Sequence, residues 1–161
     1  PSLGSLSGVV TKTDTVSHIL CWVDGTDEAC RAAEYAASVA KNLGAGLTYL
    51  AVGDEPEPNA GFEDFARIED VSEPMTPTLE GNVRACLHRA ATTAAQTGVH
   101  CAAQLVHAGK PADAICATAQ SQGADLVVIR KRDTGLFKRF LTTSVLEALV
   151  NQCNFAVLSV R

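Results

Sequence analysis

The chain predicts an α/β fold: an open, mostly parallel five-stranded sheet with helices on both faces. Three observations carry this. Apolar runs such as HILCWVD from His18 are continuous rather than alternating, as in strands covered on both faces. Between them lie longer stretches with helical spacing, bounded by capping residues. The two kinds alternate along the chain as in βαβ units.

Residues 1–16 are rich in Ser, Gly and Thr without a sustained period, and read as a flexible tail. Residues 17–161 then form one domain. HILCWVD is the first strand. From Asp27 to Leu43 one helical side collects Ala29, Ala32, Ala33, Ala36, Val39, Ala40 and Leu43. Thr26 or Asp27 suits its N-cap and Gly44 a left-handed stop. LTYLAV, residues 47–52, is the second strand.

The stretch 53–78 breaks the pattern. It is acidic and carries Pro56, Pro58, Pro74 and Pro77, which forbid a regular helix or central strand and predict a long loop, with one short helical piece around 62–68. A second long helix runs from about Pro77 to Gln96, and residues 99–106 are the third strand. Pro111 opens a helix to Gln122, residues 124–129 form the fourth strand, a last helix covers about 144–151, and residues 155–160 are the final strand. Trp22 and Tyr49, inside strands, are expected in the core.

The bulk numbers exclude several classes. A net charge of −5 argues against non-specific nucleic-acid binding. No apolar run reaches the ~18 residues of a membrane span, and no basic-then-apolar leader opens the sequence. Cys21, Cys30, Cys86, Cys101, Cys116 and Cys153 form no CxxC pair and sit mostly among apolar neighbours. They read as buried, reduced thiols in a reducing, cytoplasmic setting. His18, His88, His100 and His107 show no metal-ligand spacing. There is no Walker loop, no nucleophile elbow and no nucleophile paired with a base, so no catalytic residue is assigned.

Charge is unevenly placed. Arg130, Lys131, Arg132, Lys138 and Arg139 fall within ten positions, and nine of the 18 acidic residues lie between Asp54 and Glu80. Each cluster reads either as solvated loop or, for the basic one, as a surface that meets phosphate or an acidic partner. In open parallel sheets ligands bind at the carboxyl ends of strands, where the strand order reverses. If strands one and four are neighbours there, Asp24, Gly25 and Thr26 share a crevice with the loop after Ile129. Asp24 is either an ordinary strand-end aspartate or a ligand group. Ser144 caps the last helix, whose amide end would also face the crevice.

Residues 18–52, HILCWVDGTDEACRAAEYAASVAKNLGAGLTYLAV, resemble the opening of the universal stress protein family. HAGKPADAICATAQSQGADLVVI is similar to its middle, and FAVLSVR to its last strand. The resemblance implies a Rossmann-like sheet of order 3-2-1-4-5 and a homodimer through the C-terminal strand. It also implies, in some members, ATP or AMP binding through a motif of glycine, two residues, glycine, nine residues, then glycine with serine or threonine. Carried onto this chain, those places are Arg130, Asp133, Thr143 and Ser144, and only Ser144 agrees. The strand-one aspartate falls at Asp24, the adenine-flanking segment at Ala51 and Val52, and the apolar residue before the first glycine at Ile129. Val145 follows Ser144 at the start of the last helix.

Glycines let backbone amides approach phosphate, and side chains in their places narrow that approach. Asp133 adds a carboxylate where phosphate would sit, and it could pair instead with an arginine and close the crevice. Two functional readings follow. One is a non-enzymatic stress-response or regulatory dimer that acts through protein partners, with little or no ATP binding. The other is an adenine-nucleotide sensor for ATP or AMP with Mg, at most a slow hydrolase, in which Arg130, Lys131 and Arg132 replace the glycine cradle. A third possibility is a domain of a longer transporter or kinase. No membrane or nucleic-acid partner is expected.

Overall fold

The structure, a computed structural model, describes residues 15–53, 79–130 and 145–161. The expected tail up to residue 14, the acidic loop from residue 54 and the cradle positions Arg132, Asp133, Thr143 and Ser144 lie outside the described residues. Within them run β1 (His18–Trp22), α1 (Asp27–Leu43), β2 (Gly46–Gly53), α2 (Leu79–Gln96), β3 (Cys101–His107), α3 (Pro111–Gln122), β4 (Leu126–Arg130), α4 (Val145–Gln152) and β5 (Ala156–Val160). The strands form one sheet of order β3-β2-β1-β4-β5, and every neighbouring pair is parallel.

Strand alternation divides the core in two. Ile19, Cys21 and Val23 of the first strand and its exit join Leu47, Tyr49 and Ala51 of β2 beneath α1 and α2. Leu20, Trp22, Leu50, Val127 and Ile129 face the other way and pack with Ile115 of α3 and Leu149 of α4. Helices therefore cover both faces, as the continuous apolar runs required. Tyr49 is fully buried, and its hydroxyl donates to the Ala33 carbonyl at 2.9 Å, tying β2 to α1.

Helix α1 forms as its sequence demands. The Thr26 hydroxyl accepts from the Ala29 amide at 3.3 Å, and Gly44 closes the helix in the left-handed region at φ 64°. Its buried stripe is all alanine: Ala29, Ala32, Ala33, Ala36, Ala37 and Ala40. Leu43, expected on that stripe, is 48% exposed.

Two strands start two residues later than expected, while β2 and β5 shift by one. Val99 belongs to the turn that ends α2, where its amide donates to the Ala94 carbonyl at 3.2 Å, so β3 begins at Cys101. Ala124 likewise donates to Ala119 at 2.9 Å, and β4 starts two residues later. Between them in space, the Asp125 carboxylate accepts from the Ser17 amide at 2.8 Å, the Ser17 hydroxyl at 2.7 Å and the His18 amide at 3.1 Å. It clasps the amino ends of β1 and β4.

The reading of all six cysteines as reduced thiols is corrected at one pair. Cys116 in α3 and Cys153 just after α4 are joined as a disulfide, with Cα atoms 6.2 Å apart, inside the usual range for a bridge. Helical packing on one sheet face brings together cysteines 37 residues apart, which no local spacing reveals. Cysteine usage therefore no longer argues for a reducing compartment. The other four are free.

Candidate functional site

β1 and β4 are neighbours, with Cys21 in register with Val128, so the residues that follow each strand reach the same rim of the sheet. The strand order reverses there, because β2 continues on one side of β1 and β4 lies on the other. Asp24, Gly25 and Thr26 leave β1 at this rim, and Arg130 ends β4 beside them.

Asp24 is held from two sides. Its Oδ1 accepts from the Thr26 hydroxyl at 2.6 Å and from the Thr26 amide at 3.1 Å, an Asx-type turn. Its Oδ2 accepts from Arg130 Nη2 at 3.1 Å. Both partners are part-buried, their side chains 7% and 14% exposed. Burial works to raise the Asp24 carboxyl. The Thr26 and Arg130 hydrogen bonds and the arginine charge outweigh it and hold the group below its ordinary value. Thr26 thus serves two purposes: it donates to Asp24 and accepts from the first turn of α1. Exposed Glu28 lies 3.9 Å from Arg130 Nη1.

Gly25 has φ +83°, a conformation that L side chains rarely adopt. A Cβ there would lie 2.9 Å from Val83 Cγ2 of α2, so the loop is pressed against that helix as well as against Arg130.

The remaining expected residues divide. Ala51 is fully buried under α1 and α2, while Val52 is half-buried and packs with the α3–α4 cluster. Ile129 is 1% exposed in that same cluster, a core residue rather than an open platform. Val145 starts α4 and packs against it too. Among the described residues, Asp24, Gly25, Thr26 and Arg130 are therefore the group the fold brings together at the rim.

Sequence reasoning placed Asp24 and Arg130 at one crevice but did not pair them. The expected strand order brings the ends of β1 and β4 to one rim, but it does not say which side chains meet there. Asp125 was overlooked because the strand was started at Ala124, which leaves the aspartate looking like an interruption. Among the described residues no three His, Cys, Asp or Glu side chains form a metal-ligand group, and no helix is long and apolar enough to cross a membrane.

The sequence profile of the universal stress protein family matches residues 15–161. No curated protein matches the sequence. Solved structures do match in fold. The universal stress protein UspA of Lactobacillus plantarum superposes with a TM-score of 0.70 at 21% identity, over 92% of this chain and 100% of the other. A universal stress protein in complex with cAMP gives 0.67 at 21% identity, over 92% and 98%. One from Arabidopsis thaliana with AMP bound gives 0.62 at 18% identity, over 89% and 90%.

Proposed function

Because the chain belongs to the universal stress protein family, we propose that it is a non-enzymatic regulatory module of that type, one whose nucleotide crevice is closed by its own side chains. The observation that carries this is the part-buried Arg130–Asp24 pair at the switch point. The carboxylate a ligand would need is already satisfied, and a guanidinium stands where the family's motif puts its first glycine. A nucleotide entering here must break this part-buried ion pair, at a cost of about 1–3 kcal/mol if no new partner replaces it. ATP, AMP and cAMP then bind weakly or not at all, and the output of the module passes through protein contacts.

Isothermal calorimetry at low salt tests this with Mg-ATP, AMP and cAMP. The expected result is a dissociation constant above about 1 mM for each, corresponding to less than about 4 kcal/mol of binding free energy. Arg130→Gly should then tighten AMP at least about tenfold, by freeing Asp24 and restoring a glycine. Micromolar binding to the unaltered protein would overturn the reading.

The second reading, an adenine-nucleotide sensor, has one observation in its favour. Arg130 Nε is buried and makes no hydrogen bond among the described residues. Turning the guanidinium outward onto a phosphate would satisfy it, and relatives of the same fold hold AMP and cAMP. On this reading Arg130→Ala weakens nucleotide binding instead of strengthening it, so the sign of one substitution separates the two.

A homodimer through β5 belongs to the same proposal. β5 is an edge of the sheet, paired on one side only among the described residues, and Val157, Leu158 and Val160 are only half-buried. Light scattering at tens of micromolar should give twice the 16.8 kDa chain mass.

A further inference from the structure

Away from the crevice, α1 and α2 pack side by side and bring two free cysteines together. Cys30 lies in the first turns of α1. On α2, Cys86, Arg89, Ala90 and Thr93 recur at helical spacing and so share one face. The Sγ atoms of Cys30 and Cys86 are 3.0 Å apart, and Arg89 Nη2 donates to Cys30 Sγ at 3.3 Å. The two sulfurs are not equivalent. Cys86 is fully buried, whereas Cys30 is half-buried and lines a small cleft of about 120 Å³ with Glu34, Arg89, Ala90 and Thr93. Burial, the bond to Cys30 and its charge push the Cys86 thiol up to about 12 against the opposing pull of Arg89.

We propose that Cys30 and Cys86 form a peroxide-reactive dithiol, in which Cys30 is oxidised first and Cys86 then closes a reversible disulfide between α1 and α2. Three features make this more than a chance proximity. The sulfurs are already in contact, so closing a bond of about 2.05 Å needs a shift of about 1 Å. Arg89 lines the same cleft, where its cation would stabilise the negative charge that gathers on the departing peroxide oxygen. The cleft reaches Cys30 but is not lined by Cys86, and its volume suits a molecule a few waters in size rather than a bulky disulfide.

The chemistry balances. The Cys30 sulfur attacks one oxygen of hydrogen peroxide, the O–O bond breaks, and the departing oxygen leaves as water with the thiol proton. Cys30 is then a sulfenic acid. The Cys86 sulfur attacks Cys30 Sγ, the S–O bond breaks, and hydroxide leaves as water with the Cys86 proton. Two thiols have lost two electrons, and one peroxide has become two waters. An external thiol restores the pair by exchange. Cys86 suits the second role by position, since it lies off the cleft and against Cys30 Sγ.

The wild-type protein tests this directly. It is treated with stoichiometric hydrogen peroxide, alkylated, and digested with trypsin without reduction. The expected product links the peptide 13–31, which contains Cys21 and Cys30, to the peptide 85–89, which contains Cys86. Fragmentation assigns the bond to Cys30, and dithiothreitol reverses it. Cys101, also half-buried but donating to the Ala91 carbonyl at 3.3 Å, is the internal comparison and should oxidise at least about tenfold more slowly. Cys86→Ser should trap the sulfenic acid at Cys30, where dimedone labels it. Arg89→Ala should slow Cys30 oxidation about tenfold and Arg89→Lys should restore most of the rate, which a merely structural arginine would not do. Oxidation of Cys30 no faster than Cys101, or a bond from Cys30 to Cys21 or to another chain, would overturn the proposal.

Discussion

Thr26 and Asp24 show how one short turn sets both a helix and a charge. The Thr26 hydroxyl donates to Asp24 and accepts from α1, so removing it loosens both. Thr26→Ala should cost about 1–2 kcal/mol in urea unfolding, the usual loss of a cap together with a side-chain bond. Arg130→Ala removes the guanidinium from the part-buried Asp24 carboxylate and should cost about 1–3 kcal/mol, less than a wholly uncompensated charge. The sign of the pH dependence follows from Asp24. Its folded value lies below the unfolded one, so its contribution to stability is present above the unfolded carboxylate range and is lost as pH falls through the folded value. Asp24→Asn should therefore flatten the stability profile below about pH 4, where unfolded aspartates titrate. Acid titration of urea midpoints for the two proteins checks this, and parallel curves would count against it. What was illegible at this scale is contact between side chains distant in sequence: Arg130 meets Asp24 across 106 residues and Cys30 meets Cys86 across 56. Residue type told what each could do, but not which partner it would find.

Whole elements were far more legible, for reasons visible in α1. Six small residues at helical spacing, a threonine before them and a glycine after them agree with one another, and the structure follows to the residue at both ends. α3 is as well marked, by Pro111 in its first turn and by Gly123 at φ 66°. The starts of β3 and β4 were blurred because Val99 and Ala124 are apolar like strand residues, yet their amides are spent closing the preceding helices. Hydropathy reports burial, and burial does not distinguish a strand from the turn feeding it. At this scale Gly25 is the sensitive joint between the β1 exit and α2. Gly25→Ala combines an unfavourable φ with a Cβ pressed against Val83, and should cost about 1–3 kcal/mol. Pairing it with Val83→Ala should recover the steric part only, so a double-mutant cycle should show positive coupling without full rescue. Leu149→Ala, in a fully buried position of the short α4, should cost about 2–5 kcal/mol.

For the molecule as a whole, the two sheet faces carry different sulfur chemistry. The α3–α4 face holds the Cys116–Cys153 bridge, while the α1–α2 face holds free thiols. Alkylation of the denatured, unreduced protein should therefore label four cysteines, and six after reduction; six labels before reduction would show the bridge open in solution. Alternation of strand and helix made a parallel sheet readable at this scale, whereas the order of its strands was implied by the family resemblance.

The Asp125 clasp has a practical bearing on how the protein is handled. It fixes Ser17 at the amino edge of β1, the edge opposite the rim that bears Asp24 and Arg130. Val160, in register with Arg130, brings the last strand out on that rim. A sensor chip or affinity resin attached ahead of residue 17 would leave the rim facing the flow, whereas one attached after Arg161 would stand beside it. Surface measurements of ligand or partner capture should therefore be anchored from the amino side.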